Sequence, residues 1–158
     1  MKALSVAKYF LSKDPKRKIF NNKVVVFNDR KFYEGNVKLN KYLFLAQVVY
    51  LAKYEKLLFE DAFCAYENGP VIESVMQLYP RLDSKNIERI PPSILSFLDK
   101  IYISLENATY EDLIEITHED PEWIKLKDKT YIAPTMNLEK NIKEYKKRYK
   151  GLIAALKI

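Results

Sequence analysis

Residues 37–54 read Val-Lys-Leu-Asn-Lys-Tyr-Leu-Phe-Leu-Ala-Gln-Val-Val-Tyr-Leu-Ala-Lys-Tyr, and this stretch constrains the chain more than any other. Leu39, Tyr42, Leu43, Ala46, Val49 and Tyr50 recur at steps of three and four, which is helical spacing. Phe44, Leu45, Val48 and Leu51 widen that stripe almost all the way round. A helix that is apolar on every side has to be buried on every side. The other elements must therefore wrap it, and the expected fold is mainly α: one α-helical domain over residues 1–158, with five or six helices packed on a central one.

The remaining elements fall on either side of it. Leu4, Ala7, Phe10 and Leu11 mark a first helix over 2–12, and Pro15 keeps it from continuing. Lys23-Val24-Val25-Val26-Phe27 is β-branched, Asn28-Asp29 is turn chemistry and Arg30-Lys31-Phe32-Tyr33 can return. A small antiparallel β-hairpin is expected there, inserted over 19–34, which makes the fold class α+β. Asn36 is a candidate N-cap for the long helix. Residues 57–67 read as extended, with Asn68-Gly69 as a turn and Pro70 opening a helix from Val71 to Tyr79. Ile94, Leu98, Ile101 and Leu105 share a stripe on a helix over 93–105. Thr109-Tyr110-Glu111-Asp112 has the spacing of a capping box. Asp120-Pro121 starts a turn of helix that carries Trp123, and Lys129 to Ala133 read as a short strand that can extend the β element. Leu138, Ile142, Tyr145, Tyr149, Leu152 and Leu156 form a seam along a C-terminal amphipathic helix over 137–157.

Composition excludes more than it selects. No apolar run approaches the roughly 20 residues of a membrane span, and charges break the N-terminal stretch, so neither a membrane protein nor a signal peptide is expected. Cys64 is the only cysteine, so an intramolecular disulfide is impossible and a cytoplasmic location is the simple expectation. The net charge of +6 suits nucleic acid, an acidic partner or an anionic membrane surface without choosing among them.

Catalytic chemistry finds little to use. His118 is the only histidine. With Cys64 it gives two ligands of the soft kind where zinc needs three or four, so neither a metal nor another cofactor is expected. A hydrolase or transferase using Cys64 and His118 as nucleophile and base requires only that they meet in space, and stays open as an alternative. The acidic residues from Glu111 to Glu122 sit where helices begin, and capping explains them better than acid–base work. Three glycines leave no phosphate-binding loop. Lys140, Lys143, Lys146, Lys147, Arg148 and Lys150 give a basic C-terminal helix, and a DNA-binding regulator is the second alternative. Their positions off the apolar seam favour a solvated face.

Several weak motifs gain weight from their order. Leu39, Lys41, Tyr42 and Ala46 open the long helix. Phe59, Ala65, Gly69, Pro70 and Val71 follow, and Leu113, Thr117, His118, Glu119 and Trp123 come last. This succession resembles the SocA-like, or Panacea, antitoxin domain, whose members are often described as phage-associated proteins, and the likeness spans residues 2–10 and 37–127. Tyr66 stands where that family often has Trp, and the inserted hairpin is a departure. The resemblance implies a non-enzymatic, toxin–antitoxin function: direct binding that neutralises a cognate toxin encoded nearby, with a protease as further partner where the antitoxin acts as a proteolytic adaptor. Nucleic acid is the weaker partner expectation, and no membrane is involved. Lys41, Tyr66, Gly69, Pro70, Thr117, His118 and Trp123 are the candidate partner-binding or motif residues. A bland reading runs beside this one, in which Gly69, Pro70 and Trp123 only pack a turn against the long helix.

Overall fold

The computed structural model describes residues 1–27, 29–128 and 133–158. The element order is α1 (Ala3–Ser12), β1 (Val24–Phe27), β2 (Arg30–Tyr33), α2 (Glu34–Tyr54), β3 (Cys64–Tyr66), β4 (Gly69–Val71), α3 (Glu73–Leu78), α4 (Pro92–Leu105), α5 (Tyr110–His118), α6 (Pro121–Leu126), a 3-10 turn (Leu138–Asn141), α7 (Ile142–Arg148) and α8 (Lys150–Leu156). The fold is mainly α, with two small antiparallel two-stranded sheets, β1–β2 and β3–β4.

Helix α2 is the central element that its pattern predicts. Leu39, Leu43, Phe44, Ala46, Val48, Val49 and Leu51 are completely buried, and α1, α3, α4, α5 and α7 all pack on it. Its start differs from the expectation. The helix begins at Glu34, and Asn36 lies inside the first turn. The first free amides are satisfied by the chain leading into β1 rather than by a side-chain cap: Glu34 N–H donates to the Lys23 carbonyl at 2.7 Å, and Gly35 N–H to that of Asn21 at 3.0 Å. Asn36 instead accepts, through its carbonyl, a bond from Asn40 Nδ2 at 3.0 Å.

Two polar side chains organise the irregular segments around α2. Gln47 is 1% exposed; its Nε2 donates to the Phe59 carbonyl at 2.8 Å, and its Oε1 accepts from Leu58 N–H at 2.7 Å. That clamp holds residues 55–63 against α2 without a strand, so only Cys64–Tyr66 of the expected extended stretch is β structure. The Asp14 carboxylate, 5% exposed, accepts from the amides of Lys18, Ile19 and Phe20 at 2.8–2.9 Å and folds the post-α1 loop onto itself. This sets Phe20 beside Tyr42, which also meets Phe10 and Tyr102 in edge-on ring contacts.

The C-terminal seam is covered by the domain itself. Leu138, Tyr145 and Tyr149 are buried, α7 packs on α2 and α8 reaches α4. The continuous helix read from the heptad spacing is divided into the 3-10 turn, α7 and α8. Tyr149 leaves helical geometry at φ −100°, ψ 9°, next to Lys150-Gly151, where glycine weakens helix continuity. The expected strand at 129–133 falls, for residues 129–132, outside the described residues. An isolated bridge joins Cys64 to Thr135.

Candidate functional site

The motif residues converge on one turn. In the β3–β4 hairpin, Ala65 pairs with Pro70 and Tyr66 with Gly69, which leaves Glu67-Asn68 as the loop. The positive φ that closes this tight connection falls on Gly69, at +118°. Pro70 therefore sits in a strand rather than at the first position of a helix. A two-stranded sheet has only edges, so a residue without an N–H is tolerated there, and α3 begins after it at Glu73.

Four elements grip this turn. From α2, Lys41 is 2% exposed and its Nζ donates to the Asn68 carbonyl at 2.9 Å. Burial drops its pKa to about 7. A Cβ at Gly69 would overlap Lys41 Nζ and lie 3.3 Å from Thr117 Oγ1, so the glycine is also a point of close approach. From α5, Thr117 is 1% exposed and turns its hydroxyl back onto the Ile114 carbonyl at 3.0 Å. From α6, Trp123 is 3% exposed; its Nε1 donates to the Tyr66 carbonyl at 2.8 Å, and His118 stacks on its ring at 4.3 Å and 11°. His118 is held below the usual histidine range, first by burial and then by Lys41 and Lys127, with the Asn68 backbone opposing. From α3, the Glu73 carboxylate accepts from Cys64 Sγ at 3.0 Å and from Tyr66 Oη at 2.9 Å.

All seven candidate residues thus belong to one constellation, and five of them, Lys41, Gly69, Pro70, Thr117 and Trp123, are buried. Tyr66 and His118 keep partial exposure. Asn68 and Glu73, the residues that bind these pieces together, were not singled out in the sequence. Adjacency to Gly69 was the available signal for Asn68; Glu73 offered none, since its partners are set by the fold.

The chemistry of this arrangement is that of a strut. Cys64 and His118 serve different partners, Glu73 and the Trp123 ring. Burial and Glu73 push the Cys64 thiol up to about 11, which disfavours a thiolate nucleophile near neutral pH. No group of three metal-ligating residues occurs among the described residues. The capping reading of the acidic residues holds: Thr109 and Asp112 form a capping box, and Asp120 accepts from Trp123 N–H at 2.9 Å. On the basic helix, Lys140, Lys143, Lys147 and Lys150 are exposed, while Lys146 pairs with Glu55 at 3.1 Å and Arg148 with Glu119 at 3.8 Å. No described helix is long and apolar enough to cross a membrane.

The ordered motifs thus lock a Gly-Pro hairpin onto a buried central helix. The model of the antitoxin SocA-like, Panacea domain matches residues 39–124, more than half of the chain. The chain therefore belongs to the SocA-like Panacea antitoxin family. No curated protein and no solved structure matches it.

Proposed function

We propose that this protein neutralises a cognate toxin, encoded beside it, by binding it directly and without catalysis. Membership of an antitoxin family carries the reading. The site's chemistry supports it, because the polar motif groups hold the packing together: Lys41 bonds Asn68, Trp123 bonds Tyr66 and Cys64 bonds Glu73. The partner surface then lies around the strut, on groups that stay accessible, and Tyr66 and His118 are its nearest exposed edges. The β1–β2 hairpin lies before residue 39, outside the family match, and is suited to tuning partner choice. Delivery of the toxin to a protease is a further step of the same reading.

Co-expression with the product of the neighbouring reading frame tests this. Rescue of growth together with co-purification is the expected result. A toxic neighbour that is neither rescued nor bound would overturn it. The exposed cations of the C-terminal segment favour DNA binding as the second reading. Changing Lys140, Lys143, Lys147 and Lys150 to Gln spares Lys146, which is already paired. A DNA reader loses affinity and flattens its salt dependence by roughly 0.9 log unit per lost phosphate contact. A toxin binder keeps neutralisation.

A further inference from the structure

We propose that the pocket between the β1–β2 hairpin, the start of α2 and the β3–β4 turn receives a carboxylate, with Lys41 as the cation on its inner wall. The cavity measures about 50 Å³ and is lined by Arg30 and Phe32 of β2, by Asn40 and Lys41 of α2, and by Asn68 of the turn, among others. A site of that size takes the end of one acidic group or a few waters. Its walls join the β1–β2 hairpin to the family's motif turn.

The donor set points to the ligand. An ammonium can give three hydrogen bonds, and the Lys41 ammonium gives one, to the Asn68 carbonyl. Among the described residues no carboxylate forms an ion pair with it. Buried charges are ordinarily paired, because an isolated one is costly. The charged and titratable groups around it include Arg30 of β2, Tyr66 of β3, Glu67 of the turn and His118 of α5. Glu67 carries the pair to Arg30 at 3.9 Å, which joins two walls of the pocket. Asn68 Oδ1 is buried and has no hydrogen-bond partner. Rotating that amide exchanges the unpartnered oxygen for an NH2 donor, which gives a carboxylate a second contact beside Lys41. Asn40 does not compete, because its Oδ1 accepts from Ile72 N–H at 2.8 Å and its Nδ2 is spent on Asn36. The resulting pair is a buried, charge-assisted one, and it exists only with Lys41 protonated. Lys41 sits near pKa 7 in the free protein, so carboxylate binding takes up a proton.

NMR titration of the intact protein tests this, following the Val37, Val71 and Met76 methyls and the Lys41 side chain. Acetate is one probe; a neutral-capped peptide with a single Glu, set against its Gln twin, is the other. The expected result is saturable methyl shifts with affinity about tenfold higher near pH 6 than near pH 8, since the protonated fraction of a group with pKa about 7 falls by that factor. The Lys41 titration midpoint rises in acetate relative to matched chloride. Binding much tighter for the Glu peptide than for acetate assigns the carboxylate to a protein partner; equal binding assigns it to a small acid. Lys41→Met removes the effect. Should that variant fail to fold, the Lys41 midpoint of the unmodified protein decides alone. A midpoint unmoved by both probes, or equal shifts from the Glu and Gln peptides and chloride, overturns the proposal.

Discussion

Replacing Gly69 with Ala tests whether the family motif is a packing device. Two costs add. An L-residue at φ +118° leaves the allowed regions, a strain of about 1–3 kcal/mol. The new methyl also occupies the position of Lys41 Nζ and presses on Thr117 Oγ1. Lys41 must then withdraw from the Asn68 carbonyl, leaving buried polar groups unpartnered at a further cost of about 1–3 kcal/mol. The sum, roughly 2–6 kcal/mol, is a large share of a typical domain stability of about 5–15 kcal/mol. Urea denaturation followed by circular dichroism reads it as a lower midpoint at unchanged slope. The Lys41 clash is isolated by repeating the change in a Lys41→Ala background, where the backbone strain and the Thr117 contact remain. The two changes should then be non-additive by about 1–3 kcal/mol. A Gly69→Ala protein within about 0.5 kcal/mol of the parent, or strict additivity with Lys41→Ala, would refute the argument that this turn is locked by close approach of α2.

The other expectations concern the core, the loop clamps and pH. Leu43→Asp or Val49→Asp places an unpaired charge at a fully buried position of α2 and should unfold the protein, visible as loss of the thermal transition. Asp14→Ala orphans three amides and should cost about 2–4 kcal/mol in a urea titration, whereas an exposed change such as Lys16→Ala should cost almost nothing. Trp123→Phe keeps most of the ring packing but loses the bond to Tyr66, for about 1–2 kcal/mol and a weaker near-ultraviolet signal. Lys41 has a folded pKa depressed to about 7 against about 10.5 when free, so the unfolded chain binds more protons between those values. Stability therefore rises with pH from about 7 toward 10. Unfolding free energies measured across that range should climb in the parent and stay flatter in Lys41→Met, and identical slopes would contradict the burial of an unpaired amine.

What the sequence made legible was local chemistry and long periodicity. Helix α2 could be read because its apolar residues fill every face, and α5 because Thr109 and Asp112 cap it within one turn. The strut was legible only as an ordered list of residues. Its bonds join residues 27 to 57 positions apart, Lys41 to Asn68 and Trp123 to Tyr66, and no local pattern encodes such a pairing. Pro70 shows the limit most clearly. Proline after a turn suits a helix start or an edge strand equally well, and the choice was made by Ala65 across the hairpin. Asn36 lost the capping role for the same kind of reason, since the backbone carbonyls of Asn21 and Lys23 arrived first. Glu73 could not have been found, because the groups it holds, Cys64 and Tyr66, are brought to it by a hairpin that was itself not foreseen.

The net charge of +6 hides a partition that bears on partner choice. The family-matched residues 39–124 hold seven Lys and Arg against fifteen Asp and Glu, a net of −8, while residues 1–38 and residues 125–158 each hold ten against three, a net of +7. A partner responds to charge within about a Debye length, 8–10 Å, and not to the total. Part of the basic excess is turned onto the acidic middle: Lys13 meets Asp99 at 2.9 Å, Lys146 meets Glu55 and Arg148 meets Glu119. Such exposed pairs contribute little stability each, about 0–1 kcal/mol. Their effect is on recognition, because a phosphate backbone approaching α7 has to compete with Glu55 and Glu119 for those cations. Among the cations left over, Lys140, Lys143, Lys147 and Lys150 lie near the C-terminus, apart in sequence from Lys23 and Lys31 at the hairpin and from Lys2, Lys16 and Lys18 before it. A single DNA duplex rewards one continuous basic stripe. Basic segments before and after an acidic middle of the sequence instead favour a partner that is itself patterned in charge, as a folded protein is. This is why the distribution of charge supports the toxin-binding reading although its sign alone does not choose between a protein and nucleic acid.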